Sequence, residues 1–297
     1  MKGRSFLLLV IVTIFWGLNF PLLKIGLIYE SSLYIMFFRI LVAVLFMFIV
    51  FRKRIKFPES IRANIFLFIF GLFNMMLFFG FWSIGEETES ASLSSIIIYT
   101  YPIIVIVLAR LFLSDKLNKY KIISLILGFA GMVIIFSNQL LVKFNIGLAY
   151  LLIAAISFSA GAVFMKKYLI NINPITINFV QSLYSLPVMF LWAFFTEKIN
   201  FSGFNIYFLF IVLYMGILGT AIAYLIYIDL YQHLNVSSIA SYFFLVPAFS
   251  VVFSIIILHE INSYYTYLGF IIIGTGIFLT SRTPKNKKNV NNNPLPK

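Results

Sequence analysis

The stretch from Ser92 to Gly131 is written a second time, in altered letters but the same order, from Ser237 to Gly276. Pro102 stands 13 residues before Asp115 in the first copy, and Pro247 stands 13 residues before Glu260 in the second. The copies are offset by 145 residues; carried backwards, this pairs Gly71 with Gly216, Phe79 with Tyr224 and Trp82 with Tyr227. Nearer the N-terminus an offset of 142 pairs Trp16 with Phe158, Asn19 with Gly161, Lys24 with Lys166 and Arg39 with Gln181. A chain that repeats itself folds as two similar units, which restricts the admissible architectures more than any local propensity does.

The composition says what the units are made of. Hydrophobic residues make up 62% of the chain and charged residues 10%, with a mean hydropathy of +1.03, whereas an ordinary soluble domain is roughly 25% charged. A bilayer core takes about 20 apolar residues per helix, and the 297 residues divide into ten such runs. The breaks fall near Glu30–Ser32, Arg52–Arg62, Glu86–Ser90, Asp115–Lys121, Asn138–Asn145, Lys166–Asn173, Glu197–Gly203, Gln232–Asn235 and Glu260–Ser263. No room remains for a soluble domain. The first run has a basic start, as a secretory signal does, but it continues through Trp16, Asn19 and Pro21 without a small-residue cleavage site and has a partner in the second half, so it reads as the first membrane helix.

The net charge of +13 would suggest nucleic acid if read alone, but its placement argues for a membrane. Lys2, Arg4, Arg52, Lys53, Arg54, Lys56, Arg62, Lys116, Lys119, Lys121, Lys166, Lys167 and Arg282 with the lysines beyond it fall at one end of the runs. The other end holds Glu30, Glu86, Glu87, Glu89, Glu197 and Glu260 with few bases. The positive-inside rule then makes both termini cytoplasmic. Five helices per unit is an odd number, so the second unit enters the membrane from the opposite side. The sequence therefore predicts an all-α integral membrane protein of ten transmembrane helices in two inverted five-helix repeats. Residues 1–143 form the first repeat, 144–282 the second, and 283–297 a disordered cytoplasmic tail. Inverted repeats recur in secondary transporters, with the solute site near the midplane at the repeat interface.

Individual residues sharpen this expectation. Arg39 lies inside helix 2, where an ionisable group costs roughly 2.5–3.5 kcal/mol on insertion scales. It either contacts solute or a gate, or it snorkels outward or pairs with Glu30 or Glu86. Gln181 is its uncharged counterpart in helix 7. Glu86, Glu87 and Glu89 read as a solvated outer loop, with cation binding as the alternative. Pro102 and Pro247 interrupt helices 4 and 9 at corresponding places, among Tyr99, Tyr101 and Tyr242, and are candidate hinges; packing kinks are the other reading. Asp115 and Glu260 read as helix caps or ion-pair partners. Gly128, Gly131, Gly269, Gly274 and Gly276 read as close-packing positions, with a homodimer face as a further option. Asp229, near His233, would need to face the cavity to carry protons; otherwise it pairs at the helix end. Trp16, Asn19, Tyr99, Tyr101, Tyr224 and Tyr242 are candidate cavity residues, since tyrosine and tryptophan combine an apolar face with one polar tip.

The run Gly-Ile-Leu-Gly-Thr-Ala-Ile-Ala-Tyr from Gly216, followed by Ala240 through Pro247 and on to His259-Glu260, resembles the second EamA repeat of the drug/metabolite transporter superfamily. Phe15-Trp16-Gly17-Leu18-Asn19-Phe20, Arg39, Pro102 and Asp115 look similar to the first repeat. The resemblance implies a central cavity lined mainly by helices 1, 3, 4, 6, 8 and 9. It also implies outward movement of small metabolites, often amino acids or related compounds, across the plasma membrane. The expected partners are a small-molecule substrate and the lipid bilayer, with no nucleic acid, no metal and no cofactor; a channel is the alternative. An integral membrane enzyme is much less favoured, because His233 and His259 sit at opposite faces and no phosphate loop or zinc pattern occurs.

Overall fold

The computed structural model describes residues 3–113, 119–137, 145–234, 236, 239, 241–261 and 263–281, and every regular element among them is helical. Seven helices are long and apolar enough to cross a membrane: α1 (Arg4–Gly26), α2 (Ser32–Arg54), α3 (Ile61–Thr88), α4 (Ala91–Phe112), α6 (Ile146–Tyr168), α7 (Pro174–Thr196) and α8 (Ile206–His233). Three more carry shorter apolar runs: α5 (Lys119–Ser137), α9 (Leu245–Leu258, entered by a 3₁₀ turn at Ser241–Phe244) and α10 (Tyr264–Ser281).

The breaks read from sequence become helix starts because they supply caps. Side-chain oxygens of Ser60, Ser90, Asn145, Asn173 and Asn205 each accept a backbone N–H in the first turn of the helix that follows. Other caps come from distant carboxylates. Glu197 accepts from Ser32 Oγ and Leu33 N at 2.8 and 2.9 Å, closing the start of α2, and burial pushes its carboxyl above the ordinary range. Glu260 accepts from Ala91 N and from Ser92 N and Oγ, so it caps α4 rather than the helix next to it in sequence. Asp115 lies outside the described residues.

Apolar side chains such as Ile49, Phe195 and Ile126 are exposed on the outside of the bundle, where water would be unfavourable and lipid is not. Inside, α1 packs on α9 and α8, α3 on α6 and α7, α4 on α6, α2 on α7 and α8, and α5 on α10. Exchanging each helix for the one five places further on returns the same set of pairs. Gly128 and Gly276 take part in this packing: a Cβ on Gly276 would stand 3.0 Å from the Ser124 carbonyl, and one on Gly128 would strike the Phe244 ring. Gly274 meets nothing within 4 Å.

Two departures from ordinary helix matter for the centre of the bundle. Leu72–Leu77 in α3 and Ile217–Ile222 in α8 widen into π-helical turns, and each residue of the second follows its counterpart by 145. In α4 the helix breaks at Tyr99 and Thr100, between Pro102 and the Ile98 carbonyl to which it cannot donate. Pro102 occupies the first turn of the new helix, where its missing N–H is not needed. Pro247 likewise sits in the first turn of α9, after the 3₁₀ turn. Each proline therefore stands at the start of the helical segment that follows a break.

Candidate functional site

A narrow cleft lies between α1, α2, α3, α4, α6 and α8, lined by Trp16, Asn19, Phe20, Arg39, Phe78, Phe79, Trp82, Tyr99, Phe158 and Tyr224. Helical spacing explains the set: Trp16, Asn19 and Phe20 lie on one face of α1, and Phe78 and Trp82 are one turn apart on α3. The cavity volume is only about 10 Å³, room for about one water and far below the roughly 300–1,000 Å³ of ligand pockets, so this conformation is contracted around the cleft.

Arg39 is the only cation among the described residues lining the cleft. It is 1% exposed, its Nε donates to Thr220 Oγ1 at 2.7 Å, and Nη2 donates to the Gly219 carbonyl at 3.3 Å. Its guanidinium stands 3.9 Å over the Phe79 ring and 5.2 Å from that of Trp82. The π turn of α8 makes this possible. Thr220 Oγ1 donates five residues back to the Met215 carbonyl, and the Gly219 carbonyl is left to accept from both Arg39 and Trp16 Nε1, the latter at 3.0 Å. Arg39 neither snorkels nor pairs with Glu30 or Glu86, because no described carboxylate lies within 4.0 Å of it. Glu30 is turned to the Asn200 and Ser31 backbone instead.

Asn19 faces Gly219 with a buried, unpaired Oδ1. In the other half the roles are exchanged, with Asn74 of the α3 π turn facing Gly161. Gln181 stands behind the cleft. It accepts from Asn74 Nδ2 at 3.1 Å and donates to Asn178 Oδ1 at 3.1 Å, while Asn178 Nδ2 donates to the Ala221 carbonyl at 2.9 Å. The two π turns are thus joined through α7 by neutral amides.

Of the candidate residues, the structure brings Trp16, Asn19, Arg39, Tyr99 and Tyr224 together in the cleft. Tyr101 packs on Phe158 with ring centroids 4.7 Å apart and bonds through its hydroxyl to that of Tyr231, outside the lining. Tyr242 packs edge-on against Phe6 away from the cleft. Helix 9, expected to line the cavity, gives way to α2. Phe20, Phe78, Phe79 and Trp82 were missed as lining residues; one more phenylalanine in a chain with 36 carries no sequence signal. Asn74 had one, a polar residue inside an apolar run.

The acidic segment after Trp82 is not a solvated loop. Helix α3 continues to Thr88, leaving Glu87 exposed but Glu86 at 0% and Glu89 at 6%. Glu86 Oε2 accepts from Trp82 Nε1 at 2.5 Å, and its other oxygen has no partner. Above it, Lys24 Nζ donates to the carbonyls of Glu86, Glu87 and Glu89 at 2.8, 3.2 and 2.7 Å, tying the end of α3 to α1. Lys166 does the same at the end of α8, donating to the carbonyls of Tyr231, Gln232 and Leu234 at 2.6, 3.3 and 3.1 Å. The lysines are 142 residues apart and their acceptors 145. Asp229 is half exposed and 3.6 Å from His233, away from the cleft.

Residues 3–137 and 145–282 each match the EamA-like transporter family. The chain belongs to that family. Among its relatives is the uncharacterized transporter YvbV of Bacillus subtilis, 31% identical over 291 residues that cover 97% of this chain and 94% of that one. An uncharacterized transporter of Archaeoglobus fulgidus is 26% identical over 94% of this chain and 99% of its own length. A solved crystal structure superposes with a TM-score of 0.78 at 11% identity, covering 95% of this chain and 97% of its own, so the fold is shared. This EamA-like chain is a multi-pass membrane protein, and its named relatives are transporters.

Proposed function

We propose that the chain is a secondary transporter that carries small acidic or zwitterionic metabolites, amino acids and related compounds, out of the cell across the plasma membrane by alternating access. The observation that carries this reading is Arg39: a buried guanidinium among aromatic rings with no carboxylate against it. A buried charge is costly unless it is paired, and an incoming carboxylate would supply the missing partner, with two guanidinium donors in a plane. The rings offer an apolar wall for the solute's body.

The repeated π turns, the exchanged helix pairs and the two lysine clasps support an inverted arrangement in which each half closes one rim of the same cleft, with the breaks before Pro102 and Pro247 as the flexing points. Both termini are then cytoplasmic. The contracted cleft corresponds to a state with neither rim open, and solute entry requires one clasp to release.

The test is counterflow of labelled amino acids and simple carboxylates in proteoliposomes, one solute at a time. Arg39→Gln should lower exchange of the active solute by roughly 10- to 100-fold, the loss of a charged hydrogen bond worth about 1.5–3 kcal/mol, and Arg39→Lys should recover only part of it. If no acidic or zwitterionic solute exchanges, or if Arg39→Gln leaves the flux unchanged, the reading is wrong.

A further inference from the structure

We infer that Glu86 is a proton-binding site that couples proton movement to opening of the rim held by Lys24; this rests on the transporter reading above. Its carboxyl is completely buried within a membrane span. One oxygen accepts from Trp82 Nε1, a cleft-lining residue, and the other has no partner. A carboxylate in that position would be a desolvated anion with a single donor. Binding a proton to the orphan oxygen removes the charge and leaves a neutral hydroxyl, a much smaller cost.

The surrounding charges compensate the anion only in part. Lys24 of α1 is the neighbouring cation, and its ammonium is committed to three backbone carbonyls. Arg39 of α2 is reached only across the Trp82 ring and has its own bonds to α8. Glu260, beyond α9, is an anion spent on the start of α4. On its own helix Glu87 is exposed, and just past the helix end Glu89 accepts from Asn145 Nδ2 at 2.5 Å. The facing segments of α4 (Ala91–Ile98) and α6 (residues 147–151) contain no charged side chain, and Tyr150 stacks on Phe81 instead.

The coupling follows from position. The Lys24 clasp grips the carbonyl of Glu86 itself, so releasing the rim separates α1 from α3 at the residue whose side chain needs water when ionised. Ionised Glu86 favours the open rim, where water solvates it; protonated Glu86 favours the closed rim. The proton enters and leaves as a proton, with the carboxylate oxygen gaining and losing it, so no other reactant is required. A sodium ion is a poorer occupant, because it would find one free carboxylate oxygen where several oxygen ligands are needed.

Infrared difference spectroscopy of the full chain in liposomes tests proton binding without a solute. As the pH is raised from about 4 to about 10, the C=O band of one buried carboxylic acid should lose intensity. That band should be absent in Glu86→Gln. Trp82→Phe removes the donor to the anion and should move the band's midpoint to higher pH. No band that depends on Glu86, or a band that responds to replacing sodium by N-methylglucamine at fixed pH, overturns the assignment. In proteoliposomes, the ratio of uptake of labelled amino acids with a pH gradient to uptake without one should exceed one in the parent and fall to one in Glu86→Gln. A ratio of one in the parent, with counterflow present, overturns coupling. Absence of counterflow altogether sinks the transporter reading and the coupling role with it, and the infrared band then decides proton binding alone.

Discussion

Gly71 and Gly216 show how closely single residues set the helix spacing. A Cβ on Gly71 would stand 2.8 Å from the Gln181 carbonyl of α7, and one on Gly216 would stand 2.9 Å from the Arg39 carbonyl of α2. These are backbone contacts, which cannot rotate away. Gly71→Ala and Gly216→Ala should each destabilise the protein by about 1–3 kcal/mol, the usual range for overpacking, whereas Gly161→Ala, whose nearest contact would be 3.4 Å, should be close to neutral. Thermal unfolding in detergent checks the order; a Gly161→Ala cost equal to the others would contradict it. The same residues show what the sequence made legible. Arg39 stood out because a lone charge in an apolar run needs a reason, and the offset identified Gln181 as its counterpart. Their partners were not legible: a π turn has no composition of its own, so nothing in Ile217–Ile222 announced that the Gly219 carbonyl would be free to accept from Arg39 and Trp16.

At the scale of elements, the proposed alternating access assigns the flexing to the breaks in α4 and before α9 and the closing of the rims to the clasps on α3 and α8. Lys24→Met and Lys166→Met each remove one clasp. With a reporter cysteine introduced at Tyr99, in a chain with no native cysteine, Lys24→Met should increase labelling from the face that carries Glu87. Lys166→Met should increase it from the opposite face. Increases from the same face in both variants would rule out paired rims. The all-helical, membrane-spanning character and the position of most breaks were readable because apolar run length and capping residues act locally. The break in α4 was legible too: Pro102 cannot donate to the Ile98 carbonyl four residues earlier, and the helix parts at Tyr99 and Thr100 between the two.

Over the whole molecule, the basic residues cluster at one end and the acidic at the other, so impermeant labels on intact cells should reach a cysteine at Glu87 and fail to reach one at Lys53. The reverse pattern would invert the proposed orientation while leaving the fold intact. The two lysine clasps carry one more implication. Both bind main-chain oxygen: Glu86, Glu87 and Glu89 have no side-chain chemistry in common with Tyr231, Gln232 and Leu234, yet the corresponding carbonyls receive the corresponding ammonium. Any residue supplies that acceptor. After duplication those six positions were therefore free to drift apart, one helix end gathering carboxylates and the other a tyrosine, without loosening either closure. Descent could differentiate the chemistry of the two halves while only a single lysine in each was held in place by the latch.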